Sequence, residues 1–398
     1  MCGGGEAYHL EPLARCIKKS DPRLRLVIQG LWRYDSTGAK IYPRESPVFA
    51  DVLNWKTRQA PPRLSKNTGA SKFKCFLGIR KYIKKAHGEY KFYQSIAPIL
   101  RSAGVIHLQS LFESDAFLWI LRKKPRTPLV VSCWGSDVLR VSDVNLIKKQ
   151  QIVLNLATVI TCSTPELKEI LLAKFGRNLE GKISYALYNP EIDLMDVGSD
   201  CAVVNGGNGG LNIAVGHNGF RENNHIELID GLSLLSANLR SRIMLHLPMT
   251  YGASSTYIEE VSALCVKRGL AYKIYQKFMD RSAMFDFLRG IDVQVFGPVS
   301  DSLSATVTQA LACGRLVFLG DWLPNKLRRT QGFYFYEFSS AKSMAKIMEK
   351  ALFDIKSELM KCRINSGIAQ RCFSEKSIGD AWVNVYQNAI NPMGGSRL

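Results

Sequence analysis

The sequence predicts an α/β protein in which two Rossmann-like domains face each other across a cleft. Short apolar runs alternate with helical patterns along most of the 398 residues, as in the βαβ units of a parallel sheet. A glycine-rich run at residues 199–211 divides this alternation into two halves of similar size. A last helical pattern at residues 375–387 is long enough to cross back over both halves.

The first half, residues 1–198, is predicted to form the first Rossmann-like domain. Its strands are predicted at residues 24–28, 105–108, 129–133, 159–162 and 183–188, and its helices at residues 11–19, 116–122, 144–156 and 165–175. Residues 3–6, GGGE, have the composition of the loop that follows a strand, but only Met1 and Cys2 precede them. We therefore expect the first strand to be missing and the native start to lie upstream of Met1.

The second half, residues 212–374, repeats the pattern, and residues 375–398 form a C-terminal helix and tail. Its strands are predicted at residues 212–215, 243–247, 272–278, 293–297 and 316–319, and its helices at residues 225–235, 256–267, 281–288, 306–313 and 341–351. Ligands of open parallel sheets bind at the carboxyl ends of the strands. The sequence therefore predicts a binding site where these ends face the cleft.

The composition constrains the partner and the compartment. Lysine and arginine number 53 against 34 aspartates and glutamates, and this net charge of +19 indicates an anionic partner. The ten cysteines form no C-x-x-C pair, which favours a reducing compartment without structural zinc. No apolar run approaches the ~18 residues of a membrane span. We expect a cytoplasmic protein, or one held peripherally on the inner face of the cytoplasmic membrane.

Residues 56–93 are rich in lysine and arginine with aromatic residues between them. A single-stranded RNA surface has this composition, and so has a basic amphipathic helix that lies on a membrane. A solvated helix face with buried phenylalanine and isoleucine is the third interpretation. The pattern alone leaves all three open.

Residues 300–315, SDSLSATVTQALACGR, place small polar residues in front of an apolar helix. A helix N-terminus offers unpaired N–H groups and a partial positive charge, so it binds anions well. Serine and threonine are also good N-caps, and Thr306-x-x-Gln309 has the spacing of a capping box. From this stretch alone, an ordinary capped helix is the better supported of the two interpretations.

The same stretch resembles the donor-site signature of the GT-B glycosyltransferases of family 4, in which two glutamates are separated by seven residues. Asp301 matches the first glutamate and Gln309 the second. The resemblance implies that Asp301 is a catalytic-site carboxylate that holds hydroxyls of the transferred sugar, and that Gln309 holds the ribose of the nucleotide. The residues whose backbone would bind the diphosphate are Ser302, Leu303, Ser304 and Ala305.

Residues 215–232, VGHNGFRENNHIELIDGL, resemble the first strand, diphosphate loop and following helix of the same family's second domain. The donor-binding residues that this match implies are Gly216, Asn218, Gly219 and Arg221. Arg221 falls where the family usually has a phosphate-binding basic residue, although the usual nearby lysine is absent. The alternative is that Arg221 is a solvated loop residue.

Three stretches of the first half resemble acceptor-side motifs of the family: residues 3–17, 105–110 and 130–138. The acceptor-side residues they imply are Gly4, Gly5, Trp134, Gly135 and Ser136, with Trp134 in place of the usual histidine. The further catalytic residues they imply are His107 and Asp137. A lone histidine at a strand end is more often structural than catalytic, so His107 has that second interpretation.

The resemblance implies a retaining glycosyltransferase that needs no metal and no cofactor. Its partners would be a nucleotide-sugar donor, a lipid-linked or oligosaccharide acceptor of a growing surface polysaccharide, and an anionic membrane surface, with no nucleic acid. Because both signature glutamates are replaced, a non-catalytic, donor-binding subunit is the main alternative. A nucleic-acid-binding protein would explain the charge but leaves the glycine-rich turns unexplained.

Overall fold

Two β-sheets, one from each half of the sequence, organise the described part of the chain. The computed structural model describes residues 2–34, 40–41, 46, 48–53, 101–114, 118, 127–187, 210–279 and 281–391. The basic segment at residues 56–93, most of the 199–211 linker and the tail from residue 392 lie outside the described residues, as does most of the helix predicted at 116–122. The predictions for these segments therefore stay predictions.

The first sheet has the order β3-β2-β1-β5-β6-β7-β8, with β4 paired to β2. Its strands are β1 (Cys2–Glu6), β2 (Val27–Tyr34), β3 (Lys40–Ile41), β4 (Asp51–Leu53), β5 (Ile106–Leu108), β6 (Leu129–Ser132), β7 (Val159–Cys162) and β8 (Ile183–Tyr185). Every pairing is parallel except that of β2 with β3. We call this sheet and its helices the N-lobe.

The prediction of a missing first strand is wrong for the folded chain. The GGGE run, with Gly4 and Gly5, belongs to β1 itself, which pairs in parallel with β2 on one side and β5 on the other. The run carries too few apolar side chains to show the strand pattern. Its backbone pairing with two neighbours places it in the middle of the sheet, so Gly4 and Gly5 lie in a strand and not in a loop.

The second sheet is parallel throughout, with the order β11-β10-β9-β12-β13-β14. Its strands are β9 (Leu211–Val215), β10 (Ile243–Pro248), β11 (Ala271–Tyr275), β12 (Val293–Phe296), β13 (Leu316–Gly320) and β14 (Tyr336–Phe338). The five predicted strands are present within a few residues of their predicted bounds. β14 was not predicted because it is only three residues long and carries tyrosine and glutamate beside its phenylalanine.

Helices connect the strands and cover both sheets. In the N-lobe they are α1 (Ala7–Ser20), α2 (Ser136–Leu139), α3 (Val144–Leu156) and α4 (Pro165–Phe175). In the second half they are α5 (His225–Leu232), α6 (Ala237–Arg240), α7 (Ser255–Lys267), α8 (Arg281–Arg289), α9 (Ala305–Ala312), α10 (Lys326–Gln331), α11 (Ala341–Phe353), α12 (Ile355–Cys362), α13 (Ile364–Cys372) and α14 (Glu375–Ile390). We call the second sheet with α5 to α13 the C-lobe.

The polar residues in front of several helices explain where those helices begin. The Asp143 carboxylate accepts the backbone N–H groups of Asn145 and Leu146 at the start of α3, and the Thr164 hydroxyl accepts that of Leu167 in α4. Such caps satisfy amides that have no partner inside the helix. Both helices start at the predicted residues, Val144 and Pro165.

The last helix, α14, packs against α1 of the N-lobe, as the C-terminal crossing helix was predicted to do. Trp382 of α14 is fully buried, and its indole N–H donates to the carbonyl of Leu187 at 2.9 Å. One buried apolar cluster contains Leu13 of α1, Leu311 of α9 and Trp382. A single core therefore runs from the N-lobe through α14 into the C-lobe. Among the described residues, no helix has the length and hydropathy that a membrane span requires.

Replacing Gly379 of α14 with alanine should destabilise the protein. A β-carbon there would lie 2.3 Å from the Cys16 carbonyl oxygen of α1, so the two helices would have to separate. We expect the free energy of unfolding to fall by about 2 kcal/mol, the usual cost of overpacking. Gly367→Ala in α13 is the matched control, because a β-carbon there meets nothing within 4 Å. It should stabilise by up to about 1 kcal/mol through helix propensity. Equal denaturation midpoints for the two variants would contradict this packing.

Candidate functional site

The carboxyl edge of the C-lobe sheet meets the N-lobe at the loop formed by residues 300–304. This loop follows β12 and leads into α9, whose residues from Thr306 to Ala312 are all buried. Ser304 is the N-cap residue of α9 but makes no side-chain cap bond to it. The helix therefore begins with a short polar loop at its positive end, which is the geometry that favours an anion.

Turns of the N-lobe hold the 300–304 loop from the opposite side. Gly135 has a φ of 111°, and a β-carbon at this position would lie 2.5 Å from the β-carbon of Ser302. The Ser302 and Ser163 hydroxyls are hydrogen-bonded at 2.7 Å, and the Arg140 guanidinium donates to the Ser300 hydroxyl at 3.0 Å. Only glycine allows this close approach of the two lobes at position 135.

Asp137 shapes the turn that presents Gly135. Its carboxylate is fully buried and accepts the backbone N–H groups of Trp134, Gly135 and Leu111, each at 2.9 Å. Burial raises the pKa of this carboxyl, and the three backbone hydrogen bonds oppose that shift. The structure therefore places Asp137 inside the N-lobe, where it positions the turn. Trp134 packs against the core, and Ser136 begins α2.

His107 lies between the N-lobe sheet and α14. Its ring is buried, with Nε2 2.6 Å from the Ser132 hydroxyl and Nδ1 2.9 Å from the Tyr386 hydroxyl. Burial lowers the pKa of His107 well below its usual range, so the ring is neutral. These contacts fit the structural interpretation of this histidine.

The loop after β9 is held by its own side chains. Gly216 has a φ of 71° and packs against His225, whose Nε2 would lie 2.7 Å from a β-carbon at that position. The backbone N–H of Gly219 donates to the Tyr251 carbonyl at 2.7 Å. The Asn218 side-chain oxygen accepts from the Asn223 amide at 2.5 Å. The three residues predicted here for donor binding thus form one rigid loop.

Hydrogen bonds join this loop to β12 and to the residue before the 300–304 loop. The Gln294 amide donates to the Gly216 carbonyl at 3.0 Å, and the backbone N–H of Val299 donates to the Glu222 carbonyl at 2.8 Å. The loops after β9 and β12 lie side by side because these strands are neighbours in the sheet. The structure therefore brings together the two stretches that the sequence assigned to the donor.

The side chain of Arg221 contacts two residues of α7. Its guanidinium pairs with the Glu260 carboxylate at 2.5 Å and lies 4.3 Å from the centre of the Tyr257 ring. The ion pair with Glu260 raises the pKa of Arg221. Its charge is thus compensated by Glu260 at an exposed position.

Asp301 and Gln309 differ in their surroundings. Asp301 is half-buried at the lobe junction, and its charge acts on His217 and Arg328. Gln309 is 1% exposed and lies within α9, which begins at Ala305 with Ser304 as its N-cap. Thr306 is therefore inside the helix, and the proposed capping box of Thr306 with Gln309 does not form.

Sequence reasoning missed Arg328 and Glu166. Arg328 of α10 is 3% exposed and donates to the Ser304 carbonyl at 3.4 Å, and burial lowers its pKa to about 10. Glu166 of α4 accepts the backbone N–H of Lys326 at 2.8 Å across the two lobes. The run KLRRTQ contains two neighbouring arginines, and nothing in its pattern shows which one is buried.

Among the described residues, no group of three or more histidine, cysteine, aspartate or glutamate side chains is arranged to hold a metal ion. The expectation of a metal-independent site stays a prediction.

No protein-family model and no curated protein matches this sequence. Solved structures match almost the whole chain. Sucrose-phosphate synthase from Thermosynechococcus elongatus has a TM-score of 0.69 at 12% identity, over 95% of this chain and 92% of its own. HepE from Anabaena, solved in complex with UDP-glucose, has a TM-score of 0.65 at 12% identity, over 97% of this chain and 98% of its own.

The α,α-trehalose 6-phosphate synthase from Burkholderia multivorans has a TM-score of 0.58 at 11% identity, over 80% of this chain and 78% of its own. These likenesses show that the chain has the GT-B fold, as the sequence resemblance predicted.

The free energy of unfolding should decrease as the pH is lowered, because of His225, which packs against Gly216 in the loop after β9. Burial lowers the pKa of His225 to about 4, against ~6.5 in an unfolded chain. Between these values the unfolded chain binds a proton that the folded protein does not, so the free energy of unfolding falls as the pH falls from 6.5 to 4. His225→Asn should reduce this slope by about 1 kcal/mol per pH unit.

Urea denaturation at several pH values measures this slope. Above pH 7.5 both proteins should show the same pH dependence, which is the internal control. An unchanged slope in the variant below pH 6.5 would contradict the buried, neutral state of His225.

Proposed function

We propose that this GT-B chain is a glycosyltransferase that moves a sugar from a nucleotide-sugar donor to an acceptor hydroxyl. The observation that carries the proposal is the junction at residues 300–304, where a polar loop and the N-terminus of α9 face the N-lobe. The fold supports it, because HepE from Anabaena has the same fold and was solved in complex with UDP-glucose. A nucleotide sugar carries the diphosphate that such a helix N-terminus suits.

The donor would lie along the carboxyl edge of the C-lobe sheet. Its diphosphate would accept hydrogen bonds from backbone amides of residues 302–305, and the Gly216–Gly219 loop would border it on the side of β9. Asp301 would hold hydroxyls of the transferred sugar, and Gln309 would hold the ribose. Fixed amides stabilise the charge that grows on the phosphate as the sugar departs, and each well-placed donor contributes about 10²–10³ in rate.

The transfer would proceed with retention of configuration. The bond between the sugar C1 and the phosphate oxygen breaks, and the acceptor oxygen forms a new bond to C1 on the same face. The acceptor's proton goes to the departing phosphate. This route requires no protein base.

The acceptor would be a lipid-linked or oligosaccharide precursor of a surface polysaccharide, and the chain would work at an anionic membrane. The net charge of +19 supports this, with residues 56–93 as the basic face. The second candidate is a donor-binding subunit without activity, favoured by the replacement of both signature glutamates with Asp301 and Gln309. Turnover of a nucleotide sugar would distinguish a glycosyltransferase from a donor-binding subunit without activity.

A panel of nucleotide sugars tests the proposal. We expect at least one of them to raise the melting temperature and to be consumed when an oligosaccharide acceptor is present. Stabilisation without turnover would favour the non-catalytic subunit. No stabilisation by any nucleotide sugar or nucleoside diphosphate would refute the proposal.

Asp301→Asn should reduce transfer without loss of nucleotide binding. Because the partner of Asp301 is the sugar, we expect kcat/KM to fall about 100-fold while the Kd of UDP changes less than threefold. Asp230→Asn is the matched control, since it removes one carboxylate paired with Arg268 on the outer face of α5. Calorimetric titration and initial-rate kinetics measure both quantities. Equal losses of UDP affinity and transfer would show that Asp301 does not act on the sugar.

Binding to vesicles should depend on lipid charge and on salt. We expect the protein to sediment with vesicles that contain anionic lipid and to be released as NaCl rises from 50 to 500 mM, because salt screens surface charges. Vesicles of neutral lipid are the control. Equal sedimentation with both would contradict a membrane face, and preferential binding to RNA would favour the nucleic-acid alternative.

A further inference from the structure

Arg328 is a buried cation at the lobe junction whose hydrogen-bonding capacity is not used. It is 3% exposed, and its guanidinium donates a long hydrogen bond, 3.4 Å, to the Ser304 carbonyl. Its Nε is buried and has no hydrogen-bond partner within the described part of the chain. A buried arginine with an unused N–H is costly, because the group has left water without a full replacement.

No carboxylate of the described residues forms an ion pair with Arg328. Asp301 and Glu166 are the acidic groups whose charges act on it, but neither lies within ion-pair distance. Glu166 uses one oxygen to accept the Lys326 N–H, and its other oxygen is buried without a partner. The nearby charges thus offset the guanidinium from a distance and leave its Nε–H group without an acceptor.

The position of Arg328 makes its unpaired positive charge still less favourable. Its contact Ser304 is the N-cap residue of α9, so the guanidinium lies at the positive end of that helix. A cation at this end is unfavourable until an anion arrives. An anion seated on the α9 amides would accept from Arg328 and from the helix at once.

We propose that Arg328 is the basic residue that binds the diphosphate of the donor, in the role that the family resemblance implied for Arg221. This inference rests on the proposed function. Arg221 is already paired with Glu260. Arg328 contacts the 300–304 loop at the Ser304 carbonyl, and its Nε–H group is an unused hydrogen-bond donor. The guanidinium donates to a phosphate oxygen and balances the negative charge that grows there when the sugar leaves.

The comparison of Arg328→Gln with Arg329→Gln tests the proposal. Arg329 is the next residue of α10, but it is half exposed and paired with Glu337. We expect Arg328→Gln to weaken UDP binding at least tenfold in calorimetric titrations of the full chain. Arg329→Gln should bind UDP as the wild type does.

The melting temperature without ligand separates a ligand-binding role from a structural one. Removing a buried charge that lacks a partner should leave this temperature unchanged or raise it. A purely structural arginine would instead lower it. Arg328→Lys keeps the charge but loses the planar fork, so its UDP affinity should lie between those of the wild type and Arg328→Gln.

UDP binding by Arg328→Gln within threefold of the wild type would overturn the proposal. So would a weakened affinity that comes with a lower melting temperature and that Arg328→Lys does not restore. If Arg328→Gln does not fold, Arg328→Lys decides, and unchanged UDP affinity in it refutes the assignment. If the wild type binds no nucleoside diphosphate, the proposed function fails. If the wild type binds UDP and Arg328→Gln binds it equally, only this inference fails.

Discussion

The packing of α14 on the N-lobe is the contact on which the arrangement of the two lobes depends. Trp382 is fully buried and donates to Leu187, and Tyr386 is hydrogen-bonded to His107 beneath it. Gly379 allows α14 to approach the backbone of α1, where a larger residue would not fit. Because this helix follows the C-lobe in sequence but packs on the N-lobe, it holds the two sheets in one relative position. The close contact of Gly135 with Ser302 requires that position.

The charged groups near the junction are compensated in different ways. Asp137 is surrounded by backbone N–H donors, so its carboxylate is satisfied inside the N-lobe. Arg221 is satisfied by Glu260 at the surface. Arg328 has neither kind of partner for its Nε. An anionic ligand would therefore meet one cation that lacks a close acceptor, beside a helix N-terminus that also favours negative charge.

On the proposed function, this distribution would let the site differ from the family signature and still suit a nucleotide sugar. With Asp301 and Gln309 in place of two glutamates, one carboxylate would remain for the sugar and the negative charge near the diphosphate would be lower. Repulsion between the phosphates and the protein would be reduced for the same reason.

The sequence by itself determined the fold class, the order of most strands and helices, and the two stretches that form the junction. Apolar periodicity and capping residues such as Asp143 and Thr164 are local signals, so they can be read from neighbouring positions. The first strand could not be recognised in this way, because the glycines of β1 carry no pattern and only pairing with β2 and β5 makes them a strand.

The tertiary structure alone decided which polar residues face the junction. His107 and Asp137 have the residue types of catalytic groups, but their surroundings depend on the partners Tyr386 and Leu111, which are 279 and 26 residues away in sequence. Arg221 and Arg328 are chemically identical in the sequence. The first is neutralised by Glu260 on α7, and the second is buried beside Ser304, because burial and ion pairing depend on contacts between elements that no local pattern contains.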